Sequence, residues 1–183
     1  IRINDCDITR PNSKISREKE IKKYQKDIDY FIFNSKFIAQ HYQNIIICNE
    51  KNSRVIYNGC NQDIFFPDIK IKKIDKIKFV THHWSNNINK GYETYLKLWN
   101  LSKTERSFDF TFIGNDVPKM FKEVPIIGPL YGLELSTEIK KHNIYISDSK
   151  YDSCPNHIIE AISCGLPILY TNFLPLNIAR III

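Results

Sequence analysis

Between residues 78 and 171 short apolar runs alternate with segments of helical pattern. Residues 78–82, 109–113, 125–127, 143–147 and 168–171 read as strands. Residues 92–101, with Tyr95, Leu98 and Trp99 facing inward, and residues 133–141 read as helices, and a further helix follows Pro155. Strands separated by helices pair in parallel, because each helix carries the chain back over the sheet to start again from the same edge. The expected fold class is therefore α/β, a doubly wound and mainly parallel sheet. Ligands of such sheets bind beyond the carboxyl ends of the strands. The loops at 83–91, 114–116, 128–132 and 148–156 all follow strands and gather at that edge. Upstream, residues 1–7 read as the end of a strand, 16–26 as a helix capped by Ser16, 29–35 as a short buried strand, 36–43 as a helix and 54–57 as a strand before an Asn58-Gly59 turn. No internal repeat stands out.

The stretch from Tyr151 to Pro167 reads YDSCPNHIIEAISCGLP and holds two carboxylates, Asp152 and Glu160, with seven residues between them. Pro155 suits the first turn of a helix, whose amides are unpaired anyway. Ser153 or Cys154 would cap that helix, Ser being the better cap, and Gly165 followed by Pro167 would stop it. Asn156, Glu160 and Ser163 share one face, while Ile158, Ile159 and Ile162 occupy the other. A helix start of this kind attracts anions, phosphates above all. Glu160, just over a turn in, is placed to accept hydrogen bonds from hydroxyls of the same ligand. Phosphate at the helix start and a carboxylate for sugar hydroxyls together suggest a nucleotide-sugar pocket. On chemistry alone, an ordinary capped helix with a surface Glu fits equally well.

Apolar residues make up 43% of the chain and charged residues 25%, which excludes a disordered polymer. The net charge of +6 suits an anionic ligand. The lysines are scattered, as at Lys22-Lys23, Lys70–Lys73 and Lys140-Lys141, and no aromatic-plus-basic motif supports nucleic-acid binding. The five cysteines, at 6, 48, 60, 154 and 164, form no CxxC pair, which argues for reduced thiols and a cytoplasmic setting. No apolar run reaches the ~20 residues of a membrane span, and no signal peptide is recognisable. The chain starts at Ile1 in what reads as the middle of a motif and is expected to be a fragment.

Other residues offer chemistry more weakly. Lys90-Gly91 ends the first loop of the second half; the lysine supplies a point charge for a diphosphate and the glycine permits close backbone approach. His82 and His83 are neighbours on a strand and so point to opposite faces, which favours core or loop roles over a shared metal site. His157 lies beside the proposed pocket, where its backbone N–H counts for more than its ring. Asp5-Cys6-Asp7 and Asp27-Ile28-Asp29 both spell D-x-D, a triplet that holds divalent cations in some metal-dependent enzymes, but solvated or capping roles suit all four aspartates better.

The run D-S-C-P-N-H-I-I-E-A-I-S-C-G-L-P resembles the carboxylate-x7-Glu signature of retaining glycosyltransferases of family 4, which have the GT-B fold. The resemblance covers roughly residues 29–172 and is densest at 150–167. It implies that Glu160 holds the donor's ribose, that Asp152 lies by the transferred sugar, and that backbone amides between them, at Asn156 and His157 after Pro155, contact sugar and phosphate. Asp152 stands where the family usually has Glu, keeping the charge on a side chain one methylene shorter. The loop ending in Lys90-Gly91 resembles the family's diphosphate loop, with Lys90 kept and Ser85 in place of the usual Arg. Gly114-Asn115-Asp116 and Gly128-Pro129-Leu130 match loops that line the donor pocket, so Gly114 and Leu130 join the donor-binding set. Asn58, Gly59, Phe65 and Pro67 match the family's approach to the interdomain linker, before a Lys/Ile-rich bridge at 68–77. After Asn172 the family continues with a Gly-rich turn and a Glu, whereas this chain reads FLPLNIARIII.

The resemblance thus implies a GT-B fold incomplete at both ends, with residues 1–67 from the acceptor-side domain and 68–183 the nucleotide-sugar-binding domain. The implied activity is transfer of a hexosyl unit, with retention, from a nucleoside-diphosphate sugar to an acceptor hydroxyl on a glycan, lipid or protein. No metal or other cofactor is expected, Lys90 and Asp152 are the expected catalytic residues, and the fragment alone is expected to be inactive. A non-catalytic nucleotide-sugar-binding module and a GT-B-type nucleotide-sugar epimerase are the alternatives.

Overall fold

Two units make up the protein, and the computed structural model describes residues 1–10, 13–68 and 75–170 of them. Among the described residues, the first comprises Ile1–Asn58 and Tyr151–Pro155, and the second comprises 59–150 and 156–170.

The first unit is a three-stranded parallel sheet, β1 (Arg2–Ile3), β2 (Phe31–Phe33) and β3 (Ser53–Val55), in the order β1-β2-β3. Two helices accompany it, α1 (Arg17–Tyr24) and α2 (Lys36–Tyr42). Ser16 caps α1 as its sequence position suggests, accepting from the Lys19 amide at 3.2 Å. Asp7 reinforces that start, accepting from Ser16 Oγ at 2.6 Å and the Arg17 amide at 2.7 Å. Burial works against ionising Asp7, but these bonds outweigh it and hold its carboxyl below the ordinary range. One D-x-D aspartate is therefore a cap. Asp5 pairs with Arg10 and Arg17 at 3.2 and 3.3 Å. Phe31, Phe33, Ile38, Tyr42 and Ile46 close the core of this unit.

The second unit holds β4 (Ile77–His83), α3 (Tyr92–Thr104), β5 (Phe108–Gly114), β6 (Ile126–Ile127), α4 (Gly132–Ile139), β7 (Ile144–Ser147), α5 (Asn156–Ser163) and β8 (Ile168–Tyr170). Its strands pair in parallel in the order β6-β5-β4-β7-β8. The expected α/β class, with parallel sheets and flanking helices, is what the chain adopts. Thr171, the expected last residue of β8, and the FLPLNIARIII tail lie outside the described residues, as do residues 69–74 of the Lys/Ile-rich bridge.

Period-two alternation assigns the two faces. Phe79, Thr81 and His83 lie on the α3 side of β4, where Tyr92, Tyr95, Phe110, Phe112, Phe121 and Ile146 build an aromatic core. His82 lies on the other side with α5, which packs on β4, β7 and β8. α3 runs three residues beyond the expected 92–101, and its wholly buried residues are Tyr92 and Tyr95, with Leu98 and Trp99 packed around them.

Two glycines let the loops close on this sheet. Gly91, at φ +88°, starts α3, and a Cβ there would fall 2.6 Å from Asp148 Cβ and 2.7 Å from its carbonyl oxygen. Gly114, at φ +152°, ends β5 with its missing Cβ only 2.0 Å from the His83 carbonyl oxygen. Alanine at either position combines backbone strain with a clash against main chain. We expect Gly91→Ala and Gly114→Ala each to cost about 2 kcal/mol or more and to lower the thermal midpoint by roughly 5 °C. Circular dichroism melts read this, and an unchanged midpoint would contradict it.

Candidate functional site

The chain leaves β4 outward through β5 and β6, then returns to place β7 on the opposite side of β4. The carboxyl ends of β4 and β7 are therefore the switch point of the second unit, where neighbouring crossovers diverge and leave a crevice. The pairing shows the parting of the strands. β4 pairs with β5 from Ile77 to His83, but with β7 only at Phe79 and Val80.

Loops from both strands are stitched together there. The Lys150 amide donates to Asn89 O at 2.6 Å, and the Asp148 amide donates to Tyr95 Oη at 2.9 Å. Thr94 Oγ1 donates to Asp148 Oδ2. Lys90 closes a 3-10 turn, Ile88–Lys90, immediately before Gly91. Gly91 does approach main chain closely, and the partner is Asp148 of the same unit. Ser85, in the position of the absent Arg, is used by its own loop: Oγ accepts from the Asn87 amide at 3.2 Å, and its carbonyl accepts from Tyr92 Oη.

Three histidine rings meet behind these loops. His82 and His83 do point to opposite faces of β4, yet the strand ends there, and His157 from α5 reaches both. Its ring centroid lies 6.0 Å from that of His82 and 4.6 Å from that of His83. His83 Nε2 is 3.0 Å from Tyr95 Oη. His82 Nε2 is 2.9 Å from Glu160 Oε2, with the His82 side chain 1% exposed and that of Glu160 22% exposed. Tyr145 Oη lies 3.1 Å from His82 Nδ1 and 3.2 Å from His157 Nδ1. The sequence valued His157 for its amide; the structure buries its ring, on the inward face of α5 with Ile158 and Ala161. The i, i+4 spacing of His157 and Ala161 was the available signal. Asn156, in the first turn of α5, is exposed.

Of the expected donor residues, Lys90, Gly91, Ser85, Gly114, His157 and Glu160 thus belong to elements that converge on the ends of β4 and β7. Leu130, half-buried after β6, lines a shallow hollow with Leu133, Glu134, Thr137 and Glu138 of α4. Trp84, which the sequence reading passed over, packs on Tyr131 at 5.2 Å between centroids with a tilt of 33°. Asp152 and Pro155 belong to the first unit, half-buried and buried. Burial first, and the Asp152 charge as a lesser cause, push the Cys154 thiol up, although the Asn58 amide opposes this. Ser153, expected to cap α5, commits its hydroxyl inside the first unit, donating to Asn4 O at 2.7 Å and accepting from Asn34 Nδ2 at 3.0 Å.

Among the described residues Cys6, Glu18 and His41 offer metal-ligand atoms within 4.8 Å of one another, in the first unit. His41 Nε2 and Glu18 Oε1 already share a hydrogen bond at 2.7 Å, and burial pushes the Cys6 thiol up, away from the thiolate that a metal requires.

No protein-family model matches the sequence, and no curated protein matches it. Solved structures do. Sucrose-phosphate synthase of Thermosynechococcus elongatus superposes with a TM-score of 0.71 at 15% identity, over 96% of this chain and 50% of that one. A glycosyltransferase from Rickettsia africae gives 0.62 at 19% identity, over 88% of this chain and 49% of that one. HepE of Anabaena, solved with UDP and glucose, gives 0.64 at 12% identity, over 93% of this chain and 52% of that one. The chain therefore spans about half the length of these structures. What it shares with them is the α/β Rossmann-like fold of GT-B glycosyltransferases.

Burial pushes His83 well below its ordinary pKa of 6.5, and the neighbouring His157, Lys90 and His82 add to the effect. Burial also lowers His142, against the hydrogen bond its Nδ1 donates to the Glu138 carbonyl. The unfolded chain then binds protons below pH 6.5 that the folded chain refuses, so stability rises with pH through this window and falls on acidification. Each histidine supplies a slope of up to about 1.4 kcal/mol per pH unit. We expect urea titrations between pH 6.5 and 5 to show this loss, and His83→Gln to flatten it; an equal slope in the variant would rule out His83 as the source.

Proposed function

We propose that this chain carries the donor-binding part of a retaining GT-B glycosyltransferase of family 4 type. The reaction moves a hexosyl unit from a nucleoside-diphosphate sugar to an acceptor hydroxyl on a glycan, lipid or protein. The observation that carries this reading is Glu160, a partly exposed carboxylate fastened at the switch point of a parallel sheet. In this reading Glu160 accepts from the ribose hydroxyls. Lys90 and the first amides of α5, near Asn156 and His157, stabilise the departing diphosphate. Asp152 orients the transferred sugar. No metal is assigned a step, because fixed positive charge and helix amides supply the electrostatics. The fold shared with HepE, which was solved with UDP and glucose, supports a nucleotide-sugar ligand. Five free cysteines suit a reducing cytoplasm, and no helix among the described residues is long and apolar enough to cross a membrane.

One observation favours a second reading, a module that holds a nucleotide without catalysis. Ser85, where the family carries a cation, is tied into its own turn. Transfer from radiolabelled nucleotide sugars, assayed on the chain together with its natural flanking sequence, separates the two.

Calorimetry of the 183-residue chain with UDP and GDP tests the binding claim. We expect heat from at least one at millimolar ligand. Glu160→Ala and Lys90→Ala should each weaken binding by about 10- to 100-fold, the loss expected for a hydrogen bond to a charged group. The Lys90 variant should leave uridine or guanosine binding unchanged. No heat with either diphosphate would sink the reading.

A further inference from the structure

We infer that His82 is a positioning residue for Glu160, the end of a one-way relay of hydrogen bonds that runs Ser149, His157, Tyr145, His82, Glu160. The inference rests on the proposed donor site and adds to it a residue that no comparison assigns.

The proton positions follow from donor and acceptor chemistry. A carboxylate only accepts, so the 2.9 Å contact to Glu160 Oε2 places the His82 proton on Nε2. In the Nε2–H tautomer Nδ1 is an acceptor, and Tyr145 Oη, 3.1 Å away, is the group that donates to it, in preference to the longer 3.5 Å contact with the His82 carbonyl. That oxygen meanwhile accepts the His82 backbone N–H at 3.0 Å. With its proton committed, Tyr145 Oη can only accept from His157 Nδ1, 3.2 Å away, so His157 carries its proton on Nδ1. His157 Nε2 is left as the acceptor for Ser149 Oγ at 3.5 Å. In this arrangement all four donations point toward Glu160.

Burial makes this direction hard to reverse. His82, Tyr145 and Ser149 are 1%, 0% and 0% exposed and His157 is 7% exposed, so water does not compete for these bonds. Burial also keeps Tyr145 a neutral phenol. The relay occupies Oε2 and holds the carboxylate in one orientation. Among the described residues Oε1 accepts no hydrogen bond, and it is the oxygen that the proposed site offers to vicinal ligand hydroxyls. Held in place, Glu160 spends less conformational freedom on binding.

Two measurements test this. Nitrogen-15 NMR of the free chain should find opposite neutral tautomers, Nε2–H for His82 and Nδ1–H for His157. Matching tautomers, or Nδ1–H on His82, would overturn the relay without any ligand being present. Calorimetry with UDP, or with GDP if that is the nucleotide bound, then separates positioning from folding. His82→Phe should weaken the diphosphate about tenfold and leave its 2′,3′-dideoxy counterpart unchanged. His82→Gln, whose amide stands roughly where Nε2 was, should recover most of the loss, and thermal melts should show all variants folded. Equal losses for the diphosphate and its dideoxy form, or no recovery with Gln, would reduce His82 to a packing residue. Glu160→Ala calibrates the test. If it binds like the parent chain, the ribose assignment itself fails. If it weakens binding while His82→Phe does not, only the inference fails. Failure to bind either diphosphate overturns both.

Discussion

Where β4 and β7 part, the backbone of β4 loses its neighbour. Their ladder stops at Val80 and Tyr145, so the His82 amide has no strand to donate to on that side, and a buried unpaired amide costs on the order of 1–3 kcal/mol. The Tyr145 hydroxyl fills the gap, accepting that amide at 3.0 Å from a residue of the partner strand. The switch point of a parallel sheet is usually described as a crevice for ligands, but it is first a place where main chain runs short of partners. Here one phenol repairs it. Because a phenol also has a proton to give, the repair extends to the His82 ring and on to Glu160.

That constraint explains why polar groups gather at this edge. Below it the α3 side of the sheet is aromatic and apolar, with Tyr95, Phe110 and Phe112 in ring contact. At the edge, Thr81, His82, His83, Ser147, Asp148, Ser149 and His157 are all buried, and no buried side-chain nitrogen or oxygen among the described residues lacks a partner. A polar layer of this kind is stable only when complete. Tyr95 shows the same economy, its hydroxyl serving the Asp148 amide and the His83 ring together.

The strands and helices were largely legible because their signals are local. Ser16 and Ser35 cap the helices that follow them, and alternation in β4 correctly divides Thr81 and His83 from His82. What resisted was geometry made by elements far apart in sequence. Alternation along a strand separates His82 from His83, but a strand has ends as well as faces, and a ring carried in by α5 touches both. Ser153 looked like a cap from its place before Pro155, and only the fold of the first unit reveals Asn4 and Asn34 as its partners. Gly91 is expected from the sequence to admit a diphosphate, and nothing in the sequence signals that main chain at Asp148 packs against it.

The same edge bears on how positive charge is kept available. Lys90 stands close enough to His83 for its charge to oppose protonation of that ring. Three imidazoles so near one another would, if charged, repel one another and Lys90 at an effective dielectric well below that of water. Burial first, and the neighbouring charges after it, hold the His83 ring neutral, which leaves the lysine as the charge that His83 yields to. Ser85 adds none, its hydroxyl and carbonyl both being bound into the turn. In the proposed site, the diphosphate therefore meets the Lys90 charge and fixed helix amides, while the histidines act through hydrogen-bond direction. Charge and orientation are divided between different residues, which is why Lys90 and His82, only a loop apart, are expected to govern different parts of one ligand.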